Sequence, residues 1–222
     1  MPFDIDQLDQ NRIYDVADLA RMGLARWDIS RMAQKGILES LGTGTYVRHD
    51  FIPDMYDDLA VVALRCPVAT LNLFTAADLH GMNNRNLPKI YIGVPAVIAP
   101  PKIGGNFIGD LNIIRWKRPQ DITIGIEERI IRGVTVRLTD PERTVCDMWR
   151  YSFRNPGVRG NPTRVGDEAL SYCLNAYLDQ NDGSSAALAD MMERLEVSRN
   201  TYDTFLDNIR SHVDGYSHAK TF

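Results

Sequence analysis

Two short amphipathic segments that share a single glycine turn constrain the N-terminal part of this chain most. The first, residues 15–22, begins with an aspartate suited to capping a helix and stops before Gly23. The second, residues 24–35, stops before Gly36 and places small or apolar residues at helical spacing, namely Ala25, Ile29, Met32 and Ala33. The pattern predicts two helices joined by a tight turn, with those four residues facing the core.

A β-hairpin is predicted directly after the second helix. Residues 37–41 and 45–48 have β-favouring character and flank Gly42-Thr-Gly44, which is typical of a three-residue hairpin loop. Helix, turn, helix and hairpin in this order is the arrangement of a winged helix-turn-helix, whose second helix enters the major groove of DNA. We therefore predict a winged helix-turn-helix DNA-binding domain in residues 1–50.

The predicted core positions fix which side chains of the second helix face outward. The outward residues have the hydrogen-bonding chemistry that contacts bases and phosphates: Arg26, Trp27, Ser30, Arg31, Gln34 and Lys35. In the hairpin, the residues predicted to contact the DNA backbone or minor groove are Thr43, Thr45 and Arg48. Two alternatives stay open: the segment could be only a helical lid on a larger domain, and Trp27 could be a packing anchor.

The charge distribution favours nucleic acid at one end of the chain only. The formal net charge is −4, yet residues 21–48 carry five Lys/Arg against two acidic residues. Residues 167–214 carry ten Asp/Glu against three Arg. The first segment suits phosphate, and the second would repel it.

Residues 51–222 predict an α/β domain. Its first helices are expected at 54–65 and 70–80, and its strands at 89–94, 108–116 and 134–138. Thr139 and Glu142 have capping-box spacing, which predicts a helix that runs to about residue 151.

Three acidic helices are predicted after the loop at 154–166, at 167–179, 184–196 and 198–210. The fold class is therefore α/β (α+β): an N-terminal winged helix-turn-helix, then a mixed α/β domain that ends in a helical bundle over about residues 167–212. A basic run at the end of the second strand is a candidate partner-binding surface, formed by Arg115, Lys117 and Arg118.

The reactive residue types lack the spacing of known catalytic or metal sites. The histidines, at 49, 80, 212 and 218, are scattered, and no Gly-x-Ser-x-Gly elbow or phosphate-binding loop occurs. The three cysteines, at 66, 146 and 173, form no CxxC pair, so we expect buried thiols and neither disulfides nor zinc. We expect no enzyme activity, no cofactor and no metal.

The expected location is the cytoplasm. The apolar run at residues 91–101 is about half the roughly 20 residues that a membrane span needs, and Gly93 and Pro95 interrupt it. The N-terminus is acidic where a secretory signal would be basic and then apolar.

Four stretches of the sequence resemble the type IV abortive-infection antitoxins of the AbiEi family. They are the two-helix segment 23–36 with Gly44-Thr-Tyr46, residues 67–81, residues 89–94 and residues 136–147, so the resemblance spans roughly residues 12–152. The most specific piece is Asp140-Pro-Glu-Arg-Thr-x-x-Asp147, for which we predict a structural role with Arg143 and Asp147 paired at i, i+4.

The resemblance implies an antitoxin that also represses its own operon. Residues 1–50 would bind operator DNA, as inverted or direct repeats that seat two copies, and residues 51–222 would counteract a nucleotidyltransferase-like toxin, directly or functionally. A single-component regulator with a ligand-sensing α/β domain is the alternative. An unrecognised enzyme with a helical lid is a third possibility.

Overall fold

The computed structural model describes residues 3–42, 44–84, 89–99, 110–152, 164–181 and 184–219. The chain divides into two compact units. The first draws on segments within Met1–Ala69 and Glu128–Arg137, and the second on segments within Thr70–Ile98, Asp110–Glu127 and Leu138–Phe222. The first unit thus holds the predicted helix-turn-helix together with residues that follow it. The mixture of helices and sheets confirms the predicted α+β class.

The first unit is built around a helix-turn-helix and a three-stranded antiparallel sheet. Its elements are β1 (Tyr14–Asp15), α1 (Val16–Arg21), α2 (Arg26–Gln34), β2 (Leu38–Gly42), β3 (Thr45–Arg48) and α3 (Asp57–Arg65). The strands lie in the order β1-β3-β2, so the hairpin β2–β3 follows α2 directly. The predicted order of helix, turn, helix and hairpin is present.

Local signals position the two helices of the first unit. The Asp15 carboxylate accepts the Asp18 backbone N–H at 2.6 Å and caps α1. Gly23 and Gly36 end the helices with φ of +94° and +68°, a backbone region that glycine adopts without strain. A small core then forms from apolar residues on both helices and the strands: Leu8, Tyr14, Leu19, Leu24, Ile29, Met32 and Leu38.

One predicted core residue of the helix-turn-helix is wrong. Ala25 is exposed and occupies the N-cap of α2, while Leu24 is buried in its place. The reason is that α2 begins at Arg26, two residues later than predicted, so Leu24 in the preceding turn supplies the core contact. Ile29 and Met32 are buried as predicted.

The second unit joins a mixed sheet to a helical group. Its strands and short helices are β4 (Thr70–Leu71), α4 (Leu73–Leu79), β5 (Lys89–Pro95), β6 (Asp110–Trp116) and α5 (Pro119–Thr123). The longer helices are α6 (Pro141–Arg150), α7 (Asp167–Gln180), α8 (Ala186–Arg194) and α9 (Arg199–Ala219). With β7 (Ile126–Ile131) and β8 (Val134–Thr139), the five-stranded sheet has the order β6-β5-β4-β8-β7.

The structure corrects several predicted boundaries in this region. The helix predicted from Thr70 begins only at Leu73, because Thr70 and Leu71 pair with β5 as the strand β4. The strand β7 and the short helix α5 had no counterpart in the prediction. The start of the predicted strand at 108–109 lies outside the described residues.

The predicted capping box at Thr139 and Glu142 is wrong. Asp140 caps α6 instead, because its carboxylate accepts the Arg143 backbone N–H at 2.7 Å. Thr139 is fully buried, and its hydroxyl lies 2.7 Å from the Thr144 hydroxyl, so it is unable to turn back toward the helix start. The Glu142 carboxylate accepts the Tyr177 hydroxyl at 3.0 Å.

The core of the second unit surrounds α6. Trp149 is completely buried and meets Phe205 of α9 edge to face, with ring centroids 5.3 Å apart. Cys66 of the first unit and Cys146 and Cys173 of the second are free and buried, as predicted. Burial raises the pKa of the Cys173 thiol to about 12, so this side chain behaves as a small apolar group.

Gly93 marks the closest approach between β5 and its neighbour. A Cβ atom added at this position would overlap the buried indole ring of Trp116 on β6. We therefore expect Gly93→Ala to lower the free energy of unfolding by about 1–3 kcal/mol or more, as overpacking of a core does. Urea denaturation followed by tryptophan fluorescence would measure it.

The matched control is Gly215→Ala in α9, where an added Cβ meets no atom within 4 Å. Alanine in a helix interior should raise the stability by about 0.5–1 kcal/mol. Equal stability of wild type and Gly93→Ala would contradict the proposed crowding.

Candidate nucleic-acid interface

The outward face of α2 carries the predicted DNA-contacting side chains together on one surface. All six are exposed: Arg26, Trp27, Ser30, Arg31, Gln34 and Lys35. Trp27 keeps 61% of its surface exposed, so it does not anchor the helix to the core. Instead, the Arg31 guanidinium lies 4.4 Å from the centre of the Trp27 ring, a cation–π contact one helical turn apart.

The cations on this face have few internal partners. Arg31 lies 3.4 Å from the Asp28 carboxylate, a long ion pair between exposed groups. Within the described part of the chain, Arg26 and Lys35 make no ion pair. The face therefore offers positive charge to solvent, together with the hydroxyl of Ser30 and the amide of Gln34.

Two of the predicted hairpin contacts have other roles. Thr45 is completely buried, and its hydroxyl donates to the Gly42 carbonyl oxygen at 2.6 Å. Its side chain fixes the hairpin turn and has no route to the surface, so the predicted DNA contact is replaced by a structural one. Thr43 lies outside the described residues.

Arg48 is held by the protein rather than free on the surface. Its guanidinium donates two hydrogen bonds of 2.6 Å to the Asp50 carboxylate and one of 3.2 Å to the Leu8 carbonyl oxygen. The hydrogen bond from Arg48 lowers the pKa of Asp50 to about 2. This paired geometry engages most of the Arg48 donors within the protein, and its contact with DNA stays a prediction.

Two of the three residues in the predicted partner-binding run make hydrogen bonds within the protein. Arg115 donates to the carbonyl oxygens of Ala96, at 2.6 Å, and Ile98, and so fixes the chain that follows β5. Arg118 donates to both oxygens of Asp121, at 3.0 and 2.9 Å. Lys117 is exposed and Arg115 and Arg118 are partly exposed, so a shared partner-binding surface stays a prediction.

Arg118 belongs to a buried charge network that includes the most specific motif of the sequence. Arg143 is completely buried, and its Nε donates to Asp147 at 2.8 Å, as predicted from their spacing. Arg150 bridges Asp147, at 2.7 Å, and Asp121, at 2.9 Å. Three arginines thus share two carboxylates around α5 and α6.

Arg143 also fixes the chain that leads into this network. Its guanidinium donates to the Ile124 carbonyl oxygen at 2.6 Å and the Asp121 carbonyl oxygen at 3.2 Å, and lies 5.3 Å from the centre of the Trp116 ring. Every contact is internal. The arrangement supports a structural role for the motif and offers no site for a substrate.

The network also sets the ionisation of Asp121. Burial alone would raise the pKa of this carboxyl, but the hydrogen bond from Arg118 and the charges of Arg150 and Arg118 outweigh it and lower the pKa below its usual value. The carboxyl is therefore ionised at neutral pH.

Arg65 of the first unit is a candidate residue that the sequence did not predict. It is the last residue of α3 and lines an open cavity of about 680 Å³ together with Arg26 of α2 and Gly44 of the hairpin turn. An arginine at the end of a helix is common, so no local signal separated it from the other arginines. Its position beside the hairpin follows only from the fold.

Neither a metal cluster nor a membrane helix is found in the described ranges. No group of three or more His, Cys, Asp or Glu side chains gathers there. No helix among those residues combines the length and the apolar character needed to cross a bilayer.

The fold and the exposed face define an α+β protein that carries a helix-turn-helix followed by a β-hairpin. No protein-family model matches the sequence, and no curated protein matches it. Among solved structures, the fold is similar to the crystal structure of the RV2827C protein from Mycobacterium tuberculosis. That match has a TM-score of 0.54 and 16% sequence identity, and covers 90% of this chain and 75% of the other.

The lowered pKa of Asp121 predicts a pH-dependent stability. A carboxyl whose pKa is depressed by folding stabilises the protein above its unfolded value, near 3.9, and the contribution is lost as the pH falls through the folded value. We expect the stability difference between wild type and Asp121→Asn to be constant above about pH 5 and to shrink below it, by at most about 1.4 kcal/mol per pH unit.

Urea unfolding of both proteins at a series of pH values would measure this difference. Asp203→Asn, at the exposed ion pair with Arg199, is the control and should change the stability by less than about 1 kcal/mol. A wild type no more stable than Asp121→Asn at neutral pH would rule out the stabilising role of the network.

Proposed function

We propose that this protein is an operator-binding repressor of its own operon and the antitoxin of a type IV toxin-antitoxin system. The observation that supports DNA binding is the exposed face of α2, where Arg26, Arg31 and Lys35 point to solvent beside Ser30 and Gln34. Such a face has no role in packing. It matches the surface that a helix-turn-helix presents to the major groove.

The chemistry of this face suits both parts of DNA recognition. Arginine binds the guanine edge with two hydrogen bonds, and glutamine binds adenine in the same way. Lysine and serine contact phosphates, which position the protein without reading sequence. Trp27 holds the Arg31 guanidinium across its ring and so limits the orientations that this arginine explores.

A single helix and a short hairpin offer few phosphate contacts. Since Thr45 and Arg48 are used inside the protein, the wing adds less than the sequence suggested. Specific binding would then require two copies on an inverted or direct repeat, with an affinity that falls steeply as the salt concentration rises. The proposed activity places the protein in the cytoplasm.

The proposed DNA binding is tested by a mobility shift with the DNA just upstream of the chain's own gene. We expect wild type to shift this fragment and the double change Arg26→Ala with Arg31→Ala to lose at least about tenfold in affinity, because two cationic contacts are removed. The matched control removes the same charge from exposed ion pairs elsewhere, with Arg194→Ala and Arg199→Ala.

Circular dichroism would establish that both double variants remain folded. Equal binding by all three proteins would place the DNA contacts away from α2. If wild type does not shift the fragment at all, the proposed repression of its own operon is wrong, and the N-terminal segment is better explained as a protein-interaction lid.

The antitoxin part of the proposal is supported by the resemblance over roughly residues 12–152. Its most specific stretch, residues 140–147, builds the buried charge network of the second unit, so a related sequence would conserve the architecture of that unit. The antitoxin activity would then depend on the surface of the second unit, which carries Lys117 and the acidic helices α7 to α9.

Co-expression tests this activity. We expect the protein to restore growth of cells that express the nucleotidyltransferase-like gene neighbouring its own, and the Arg26→Ala, Arg31→Ala variant to restore growth equally because it alters only DNA binding. Lys117→Glu should weaken rescue if the exposed lysine binds the partner, whereas Lys89→Glu, an exposed lysine on β5, should not. Absence of rescue by wild type would remove the antitoxin function.

A further inference from the structure

An open cavity in the first unit brings together two arginines that are far apart in sequence. It lies between α1, α2, the hairpin turn and the end of α3, and its volume is about 680 Å³. Arg26 comes from the first turn of α2, and Arg65 is the last residue of α3. The backbone of Gly44, with φ of +77°, borders the cavity beside Arg65.

The guanidinium of Arg65 lacks the partners that such a group normally has. Its Nε and Nη2 atoms are shielded from solvent and have no hydrogen-bond partner among the residues that the structure describes. A buried donor without an acceptor costs about 1–3 kcal/mol, and more when it is charged. Because both donors are shielded, a ligand in the cavity is bound only when the Arg65 side chain turns toward it, and that rotation would relieve the cost. Gly44 leaves room for the side chain, because an added Cβ would already lie 3.4 Å from Nη2.

The cavity carries an excess of positive charge. Asp15 is the only carboxylate among the described residues that line it, against the two arginines. One oxygen of Asp15 is already engaged, since it accepts the Asp18 backbone N–H at 2.6 Å to cap α1. Tyr46 and the apolar residues of α1 complete the wall.

We infer that this cavity binds a phosphate of the DNA backbone, with Arg65 as its main hydrogen-bond donor. The inference rests on the proposed DNA binding and assigns it a contact outside α2. Arg26 belongs both to the cavity and to the exposed face of α2. An extended polyanion can therefore contact the cavity and the α2 face together, whereas a small anion contacts only the cavity. Arginine provides the planar donor pair that phosphate oxygens accept.

The test compares three variants on two DNA duplexes of equal length, the upstream fragment and an unrelated sequence. Arg65→Gln should weaken binding to both by a similar factor, about tenfold, and reduce the slope of log K against log salt by about one. Asp15→Asn, which keeps a capping side chain but removes a negative charge from the cavity, should tighten binding to both. Arg210→Gln, at an exposed ion pair on α9, should leave both affinities unchanged.

Unfolding would not increase the DNA affinity of Asp15→Asn. This variant therefore tests the inference even if Arg65→Gln is unstable. If wild type shifts DNA while Arg65→Gln and Asp15→Asn bind as Arg210→Gln does, this inference is wrong and the proposed function stands. If wild type binds no DNA, both are wrong. If inorganic phosphate raises the Tm of wild type but not of Arg65→Gln, and DNA affinity is unaltered, the cavity takes a small anion and the inference is overturned.

Discussion

The buried ion pair between Arg143 and Asp147 organises the second unit. Both side chains lie on one helix, α6, and both are inaccessible to solvent, so each charge is stable there only with opposite charges beside it. Arg150 also pairs with Asp147 at 2.7 Å, and Asp121 lies 3.6 Å from Arg143. Arg143 then uses its remaining donors on the carbonyl oxygens at Ile124 and Asp121, which fixes the turn after α5. Removal of the Asp147 carboxylate would take away a partner that Arg143 and Arg150 share, and breaking a buried pair in this way costs about 3–5 kcal/mol.

Hydrogen-bond partners also distinguish the arginines that stabilise the fold from those that are free to bind an anion. Arg48, Arg115 and Arg118 each donate to acceptors within the protein, so their charge is largely used in holding the chain. Arg26 and Arg65 have no such acceptor among the described residues. Both lie in the first unit, in the helix-turn-helix and beside it, where the proposed DNA contacts are, whereas the exposed Lys89 and Lys117 lie in the second unit.

Local sequence signals predicted the element order of the first unit well. The cap at Asp15 and the glycines at 23 and 36 act through the backbone conformation of a few neighbouring residues, so they are readable without knowledge of the fold. The six outward residues of α2 were predicted for the same reason, since a helix of known phase fixes which side chains point away. The predicted start of α2 was two residues early, because a cap residue such as Ala25 and a core residue look alike in a short apolar pattern.

What the sequence determined by itself is therefore the α+β class, the two-helix motif and the exposed face of α2. The tertiary structure alone decided which polar side chains remain free to bind a partner. It pairs Arg118 and Arg150 with Asp121, buries Thr45 and places Arg65 beside Gly44. These contacts join residues 3 to 29 positions apart and depend on how helices and turns pack. Propensity and periodicity act over a few residues, whereas the partner of a charge is set by whichever chain segment the packing brings near.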